Sequence, residues 1–305
     1  MKRRYSFVLT GLFLQALAFG TIVFTSPNLF SAENNEVKTK KILYYTRSVG
    51  FQHDPVVIQA DGESISDKAL KKWGAKNHIE FLCTKDGTVF NGDLDQFDGF
   101  AFYAAGDLHS EESLDGSKPV SREGKSRLLQ AVHNGKGFVG FHSTTDCWRD
   151  VNHPPYENQE KIDPFLEMLG GEFYYHGEPQ EAKMLITSPV DIPWLQDKGE
   201  FFTLFDEWYC LKNFNKDIHV ILIQDTTTMR NECYQRPPYP ATWARLHGKG
   251  RVAYTSIGHF NEIWENDKYV QFFGELLNWS VGRFDMDLTP NKDKVTPGAS
   301  VLLKK

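Results

Sequence analysis

The sequence predicts an α/β fold: a flavodoxin-like three-layer sandwich around a mostly parallel central sheet. Two observations carry this expectation. Short apolar runs at residues 41–46, 79–84, 97–104 and 137–141 read as strands; 41–46, without polar alternation, has the pattern of a strand covered on both faces, and 137–141 can fill a buried parallel strand. Between them lie stretches with helical spacing or capping residues, so the connections fit parallel crossovers. Composition agrees. The 305 residues are 40% hydrophobic and 24% charged, an ordinary globular balance with room for one large α/β domain. A net charge of −6 speaks against a nucleic-acid partner, which calls for a basic face. Aromatic residues make up 14% of the chain, with seven Trp. They pack cores first, and their flat faces also suit sugar rings.

Residues 1–32 read as a signal peptide or an N-terminal anchor. Lys2-Arg3-Arg4 is a positive start, Phe7 to Phe24 is mostly apolar, and Pro27 and the small pair Ser31-Ala32 follow. The expectation is export to the periplasm or outside the cell. The apolar run is about 18 residues, so an uncleaved anchor is the alternative, and the membrane would be met only through it. Residues 33–40 form a polar linker, 41–282 the domain, and 283–305 a partly ordered tail.

Within the domain the first strand, 41–46, ends in a turn that carries His53. Asp54 is a good N-cap and Pro55 fits a first helical turn, so a helix is expected over 56–76, weakened at Gly62. Strands at 79–84 and 97–104 follow, then a polar surface loop at 108–120. Ser121 opens a helix with Leu128, Leu129 and Val132 at helical spacing, and Asn134-Gly135 closes it. The fourth strand, Gly137-Phe-Val-Gly-Phe141, breaks into His142-Ser143-Thr-Thr-Asp146. A short helix at 164–169 is stopped by Gly170-Gly171. Strands are expected at 172–176, 181–186, 203–209, 219–225, 242–247 and 251–256, with a three-proline loop at 231–240 and a final amphipathic helix at 267–281.

The four cysteines permit two disulfides in an exported chain. Their spacing is irregular and lacks Cys-x-x-Cys, which speaks against a structural zinc site. Cys83 reads as a buried thiol and Cys210–Cys233 as the candidate bridge.

Several strand ends carry similar chemistry: His53, His142, Asp206-Glu207 and His259, with His176 after a fifth strand. In a doubly wound sheet such ends converge on one edge, where ligands bind. Imidazoles and carboxylates in one cleft can do acid/base work near neutral pH. We assign His142, Glu207, Asp206 and Ser143 as catalytic candidates. His53, His259, Trp208, Asp146 and His176 are the substrate-binding candidates, with Trp208 lining a sugar face. The cofactor is open: the same histidines could equally hold a divalent metal. The bland alternative is a strand followed by a capped helix start at 142–146, and a plain surface histidine at 176. The remaining histidines, His109 among them, read as structural. The sequence has no Gly-x-Ser-x-Gly elbow, P-loop or complete dinucleotide fingerprint. Cys147 lies too far past the fourth strand for an elbow nucleophile.

Four ordered stretches resemble a ThuA-like (trehalose utilisation) domain. They are Gly50-Phe-Gln-His53, Gly137 to Asp146, Asp206-Glu-Trp-Tyr209, and Gly248-Lys-Gly-Arg-Val-Ala-Tyr-Thr-Ser-Ile-Gly-His259. The resemblance implies a class I glutamine amidotransferase-like fold. His142-Ser143 stands where amidotransferases keep a cysteine nucleophile, so glutaminase chemistry is not expected. It also implies sugar metabolism, in particular of disaccharides handled through keto-sugar intermediates, and a small carbohydrate as partner. Residues 108–120 and 146–163 look expanded relative to the family. Three readings follow: an enzyme using His/carboxylate acid–base chemistry on a sugar or keto-sugar, a non-catalytic carbohydrate-binding module, and a metal-dependent hydrolase or isomerase.

Overall fold

The computed structural model describes residues 37–187 and 192–302. The expected signal or anchor lies outside these residues. Among them, no helix is long and apolar enough to cross a membrane.

The first half alternates as expected. Strand β1 (Lys40–Tyr45) leads to helix α1 (Ile65–Lys76), β2 (Ile79–Thr84), β3 (Gly99–Phe102), α2 (Arg122–His133) and β4 (Gly137–Phe141). The second half carries α3 (Pro164–Leu169), β5 (Glu172–His176), β6 (Gln180–Ile186), β7 (Phe201–Asp206), β8 (Tyr209–Lys212), β9 (His219–Asp225), β10 (Tyr239–His247) and β11 (Gly250–Thr255). Helices α4 (Asn261–Glu265), α5 (Asp267–Ser280) and α6 (Lys292–Val295) close the chain.

Nine strands form one sheet in the order β2-β1-β3-β4-β11-β10-β9-β6-β7. The strands from β2 to β11 are parallel throughout. Those from β10 to β7 extend the sheet in antiparallel fashion. Because side chains alternate across a strand, β1 feeds two cores. Ile42 and Tyr44 pack with Leu70 and Trp73 of α1 and with Phe272, Phe273 and Leu276 of α5. Leu43 and Tyr45 pack with Leu128 and Val132 of α2 and with Phe165 and Leu166 of α3. The result is the expected three-layer sandwich. Gly274 lets α1 meet α5 closely: a Cβ there would lie 2.0 Å from Trp73 Cε2.

The structure differs from expectation in four places. The helix expected from residue 56 begins at Ile65. Asp54–Val56 makes only a single 3-10 turn, and Gly62 at φ +89° lets the chain unwind. The true start is a capping box: Ser64 Oγ accepts from the Asp67 amide at 3.1 Å, and Asp67 Oδ2 accepts from the Ser64 amide at 3.0 Å. The strand expected over 203–209 breaks at Glu207-Trp208, because β8 leaves the main sheet to pair antiparallel with β5. The tail, expected to be partly ordered, is docked over its described residues. Asn291 Oδ1 accepts from the Val220 amide at 2.6 Å, Arg236 donates to the Ala299 carbonyl, and Ala299 is buried. All four cysteines are free, and Cys210 Sγ lies 3.3 Å from the Cys233 carbonyl instead of bridging to its sulfur.

The loop at 108–120 is also anchored. Arg47, fully buried at the end of β1, donates to the Leu108 carbonyl at 3.0 Å and the Ser110 carbonyl at 2.7 Å. This fixes one wall of the cleft beyond the carboxyl ends of β1, β3 and β4.

Candidate functional site

The site begins where β4 ends. His142 adopts φ +40°, left-handed backbone that a non-glycine residue rarely takes up. Thr144 and Ser143 hold the turn: Thr144 Oγ1 donates to the Phe102 carbonyl at 2.7 Å and Ser143 Oγ to the Ala104 carbonyl at 2.9 Å. Strained backbone kept in place by its surroundings is a common mark of functional sites.

His142 is fully buried, and its Nδ1 lies 2.8 Å from the Ser256 carbonyl. A carbonyl only accepts, so Nδ1 carries the proton and Nε2 presents a lone pair. That lone pair faces Glu207 Oε2 at 3.5 Å and His259 Nδ1 at 3.2 Å. His259 Nδ1 also lies 3.2 Å from Glu207 Oε2. His53 closes the group, its ring centre 4.8 Å from that of His142 and 5.1 Å from that of His259. One ligand atom from each of His53, His142, Glu207 and His259 lies within 4.8 Å of all the others.

Protonation suits this set to a cation. Burial, then the neighbouring His142 and His259, holds His53 well below the usual imidazole range. Burial also lowers His142, although Glu207 works against it. Both rings are therefore neutral, the form that ligates metals. Burial alone would raise the Glu207 carboxyl, but the adjacent His142 and His259 rings pull it well below the ordinary carboxylate range. Three imidazoles and a carboxylate are a donor set for zinc and similar divalent ions. The Nδ1–H bond from His142 to a backbone carbonyl is the outer-shell contact that orients a metal-ligating histidine.

Above the cluster opens a cleft of about 690 Å³. His53, Glu207 and Tyr209 form its inner end, and Phe51, Phe173, Asp146 and Arg149 line its sides. Phe51 is 57% exposed at the rim and lies edge-on to His53, 4.7 Å between ring centres.

Residues 41–280 match the ThuA family, described as trehalose utilisation. The chain belongs to this family. Its fold is that of two solved ThuA-like proteins. One, from Bacteroides uniformis, is 19% identical with a TM-score of 0.59, over 82% of this chain and 94% of that one. The other, from Parabacteroides merdae, is 18% identical with a TM-score of 0.55, over 82% and 92% of the two chains. No curated protein matches the sequence.

The ThuA fold brings four of the sequence candidates to one point: His53, His142, Glu207 and His259. His176 stands at the mouth, with Nδ1 3.2 Å from Glu207 Oε1 and its side chain 45% exposed. Asp146 lines the side wall, where burial raises its carboxyl against the pairing with Arg149.

Three candidates are corrected. Trp208 cannot line a sugar face. It is fully buried with Nε1 donating to the Gln180 carbonyl at 2.8 Å, while its neighbours Glu207 and Tyr209 line the cleft. Ser143 is fully buried with its hydroxyl committed to Ala104, so it is a turn-former. Asp206 is fully buried too, and it accepts three backbone amides: Gly258 at 2.8 Å, Glu207 at 3.0 Å and His259 at 3.1 Å. Burial pushes its carboxyl up to about 7, and the three amides act against that rise. Asp206 positions the His259 loop and does not reach the cleft.

Sequence reasoning missed Tyr209, whose ring lies 4.3 Å from His142 and whose hydroxyl is 3.4 Å from His53 Nε2. Its signal was available: two positions beyond Glu207, it falls on the same face of an extended segment. His109, assigned a structural role from sequence, also lines the cleft, with Nδ1 2.7 Å from the Val120 carbonyl.

Proposed function

We propose that this ThuA protein is an exported enzyme that acts on a sugar or keto-sugar at a divalent metal held by His53, His142, His259 and Glu207. The observation that carries the reading is the convergence of three imidazoles and one carboxylate within 4.8 Å at the inner end of a cleft. The family's link to trehalose utilisation supports a carbohydrate substrate, and the basic-then-apolar start of the chain supports export.

A divalent ion bound there would polarise a substrate oxygen or lower the pKa of a water molecule. The protein's own groups supply the rest. His142 is locked in one tautomer by Ser256 and directs Nε2 inward. Glu207 spans the inner end and the mouth, reaching His142 and His259 with Oε2 and His176 with Oε1. His176 thus links Glu207 to the solvent-exposed mouth of the cleft. The Tyr209 hydroxyl stands beside His53 as a hydrogen-bond donor to a substrate oxygen.

A second reading is supported by a specific observation. Glu207 contacts three imidazoles directly, at 3.5, 3.2 and 3.2 Å, so the cluster is also a self-sufficient acid/base set without an ion. Elemental analysis before and after chelation separates the two. The metal reading expects a stoichiometric divalent ion that is absent from His142→Ala, with turnover of keto-glycosides lost on chelation and restored on reloading. Full turnover by metal-free protein in chelator would refute it in favour of acid/base catalysis. Sugar binding without any turnover, metal loaded or not, would favour a binding module.

A further inference from the structure

We infer that Arg149 is a specificity residue: it reads paired hydroxyls on the part of the substrate that lies away from the imidazole cluster. This inference rests on the proposed function of the cleft.

The arginine is held from two sides. Its Nε pairs with Asp146 Oδ1, and Asp146 is fixed in turn because Oδ2 accepts from the Gly106 amide at 3.1 Å. Its guanidinium lies over the Phe173 ring, with Cζ 5.4 Å from the ring centre. These contacts take the Nε edge and one face. The two terminal nitrogens have no protein partner among the described residues, and the side chain is 28% exposed in the cleft wall. A guanidinium so fixed presents donors in a rigid fork at little further entropic loss.

Its place along the wall gives it a role distinct from the inner cluster. Phe173 stands between them: its ring is 4.1 Å from Tyr209, and Tyr209 is 4.3 Å from His142. Arg149 touches none of the four clustered residues. A ligand with a reacting oxygen at the imidazoles can lie along Tyr209 and Phe173 and present its other end to the fork. The cleft volume of about 690 Å³ gives room for more than one hexose ring.

The local charge selects the chemistry. Asp146 already neutralises Arg149, and Asp107 and Asp163 offset Arg122 and Lys125 in the outer cleft. A carboxylate or phosphate on the free edge would sit near Asp146 with no surplus positive charge to hold it. Vicinal hydroxyls match the two free donors without that repulsion. The occupant of this end is therefore a neutral, hydroxyl-rich unit.

The test is calorimetric titration of the zinc-loaded full chain with methyl α-glucoside, trehalose and a methyl glucuronide. The wild type is expected to bind trehalose at least tenfold more tightly than methyl α-glucoside, and the glucuronide no better than the methyl glucoside. The readout is the trehalose-to-glucoside affinity ratio. Arg149→Met should collapse this ratio. Arg149→Lys, which keeps the charge beside Asp146 but loses the fork, should collapse it too and guards against a folding defect. An unchanged ratio in Arg149→Lys, or preferential binding of the glucuronide, overturns the inference while leaving the metal site standing. Failure of every sugar to bind the metal-loaded wild type removes the proposed function, and this inference with it.

Discussion

Lys212→Met should unfold the protein far more easily, and the reason lies in one buried ion pair. Lys212 Nζ and Glu172 Oε1 are 3.9 Å apart, and each side chain is only 2% exposed. Burial lowers Lys212 and raises Glu172, so each charge depends on the other. Lys212 Nζ also donates to the Glu157 carbonyl at 3.0 Å and the Pro154 carbonyl at 3.3 Å, tethering the loop that carries Arg149. Methionine fills similar space but leaves Glu172 with Asn213 as its remaining partner, at 2.8 Å. Removing one member of a buried pair costs about 3–5 kcal/mol, equivalent to roughly 10 °C in Tm for a domain of this size. The assay is urea unfolding at pH 8 and pH 5. In the variant the folded-state pKa of Glu172 stays above its unfolded value near 4.3, so the folded state takes up a proton. The variant's stability is therefore greatest at low pH and is lost as pH rises through the raised pKa. Its deficit against wild type should be smaller at pH 5 than at pH 8. Adding Glu172→Gln should restore much of the loss, because no uncompensated charge remains. A deficit under about 1 kcal/mol at pH 8, or no rescue by the second change, would refute this account.

Other expectations follow from the same geometry. Glu207→Gln removes the anion from the cluster and should weaken divalent-metal affinity more than tenfold, read by competition with a chromophoric chelator. Gly274→Ala forces a methyl to within 2.0 Å of Trp73 and should destabilise by about 1–3 kcal/mol in urea unfolding. Trp208→Phe loses the bond to the Gln180 carbonyl and should cost about 1–3 kcal/mol of stability with sugar affinity unaltered. A fall in affinity without a fall in stability would return Trp208 to the cleft.

Much of this was legible because burial leaves a direct imprint on sequence. A strand covered on both faces is apolar where it is buried, so residues 42–45 of β1 and Gly137–Phe141 announce themselves and bring His53 and His142 to the same sheet edge. What failed did so for local or for distant reasons. Asp54-Pro55 imitates a helix start, yet Ser64 with Asp67 three residues later is the stronger signal, and it too is in the sequence. Trp208 was misplaced by reading its aromatic character before its position: extended backbone puts it on the opposite side from Glu207 and Tyr209. The docking of the tail is different. It depends on Arg236 and Val220 meeting residues far along the chain, and no local pattern records such a meeting. The Arg47 anchor under residues 108–120 is hidden in the same way.

The four clustered residues come from the ends of β1, β4, β7 and β11, spread over more than two-thirds of the chain. No fragment holds more than part of the set, so the centre exists only once the parallel strands and β7, at the far edge of the antiparallel extension, are all in place. An ion that binds the folded chain alone stabilises that state by mass action and cannot template its formation. On the proposed export route folding finishes outside the cytoplasm. The metal pool of that compartment, rather than the intrinsic preference of three imidazoles and a carboxylate, would then decide which ion the protein carries.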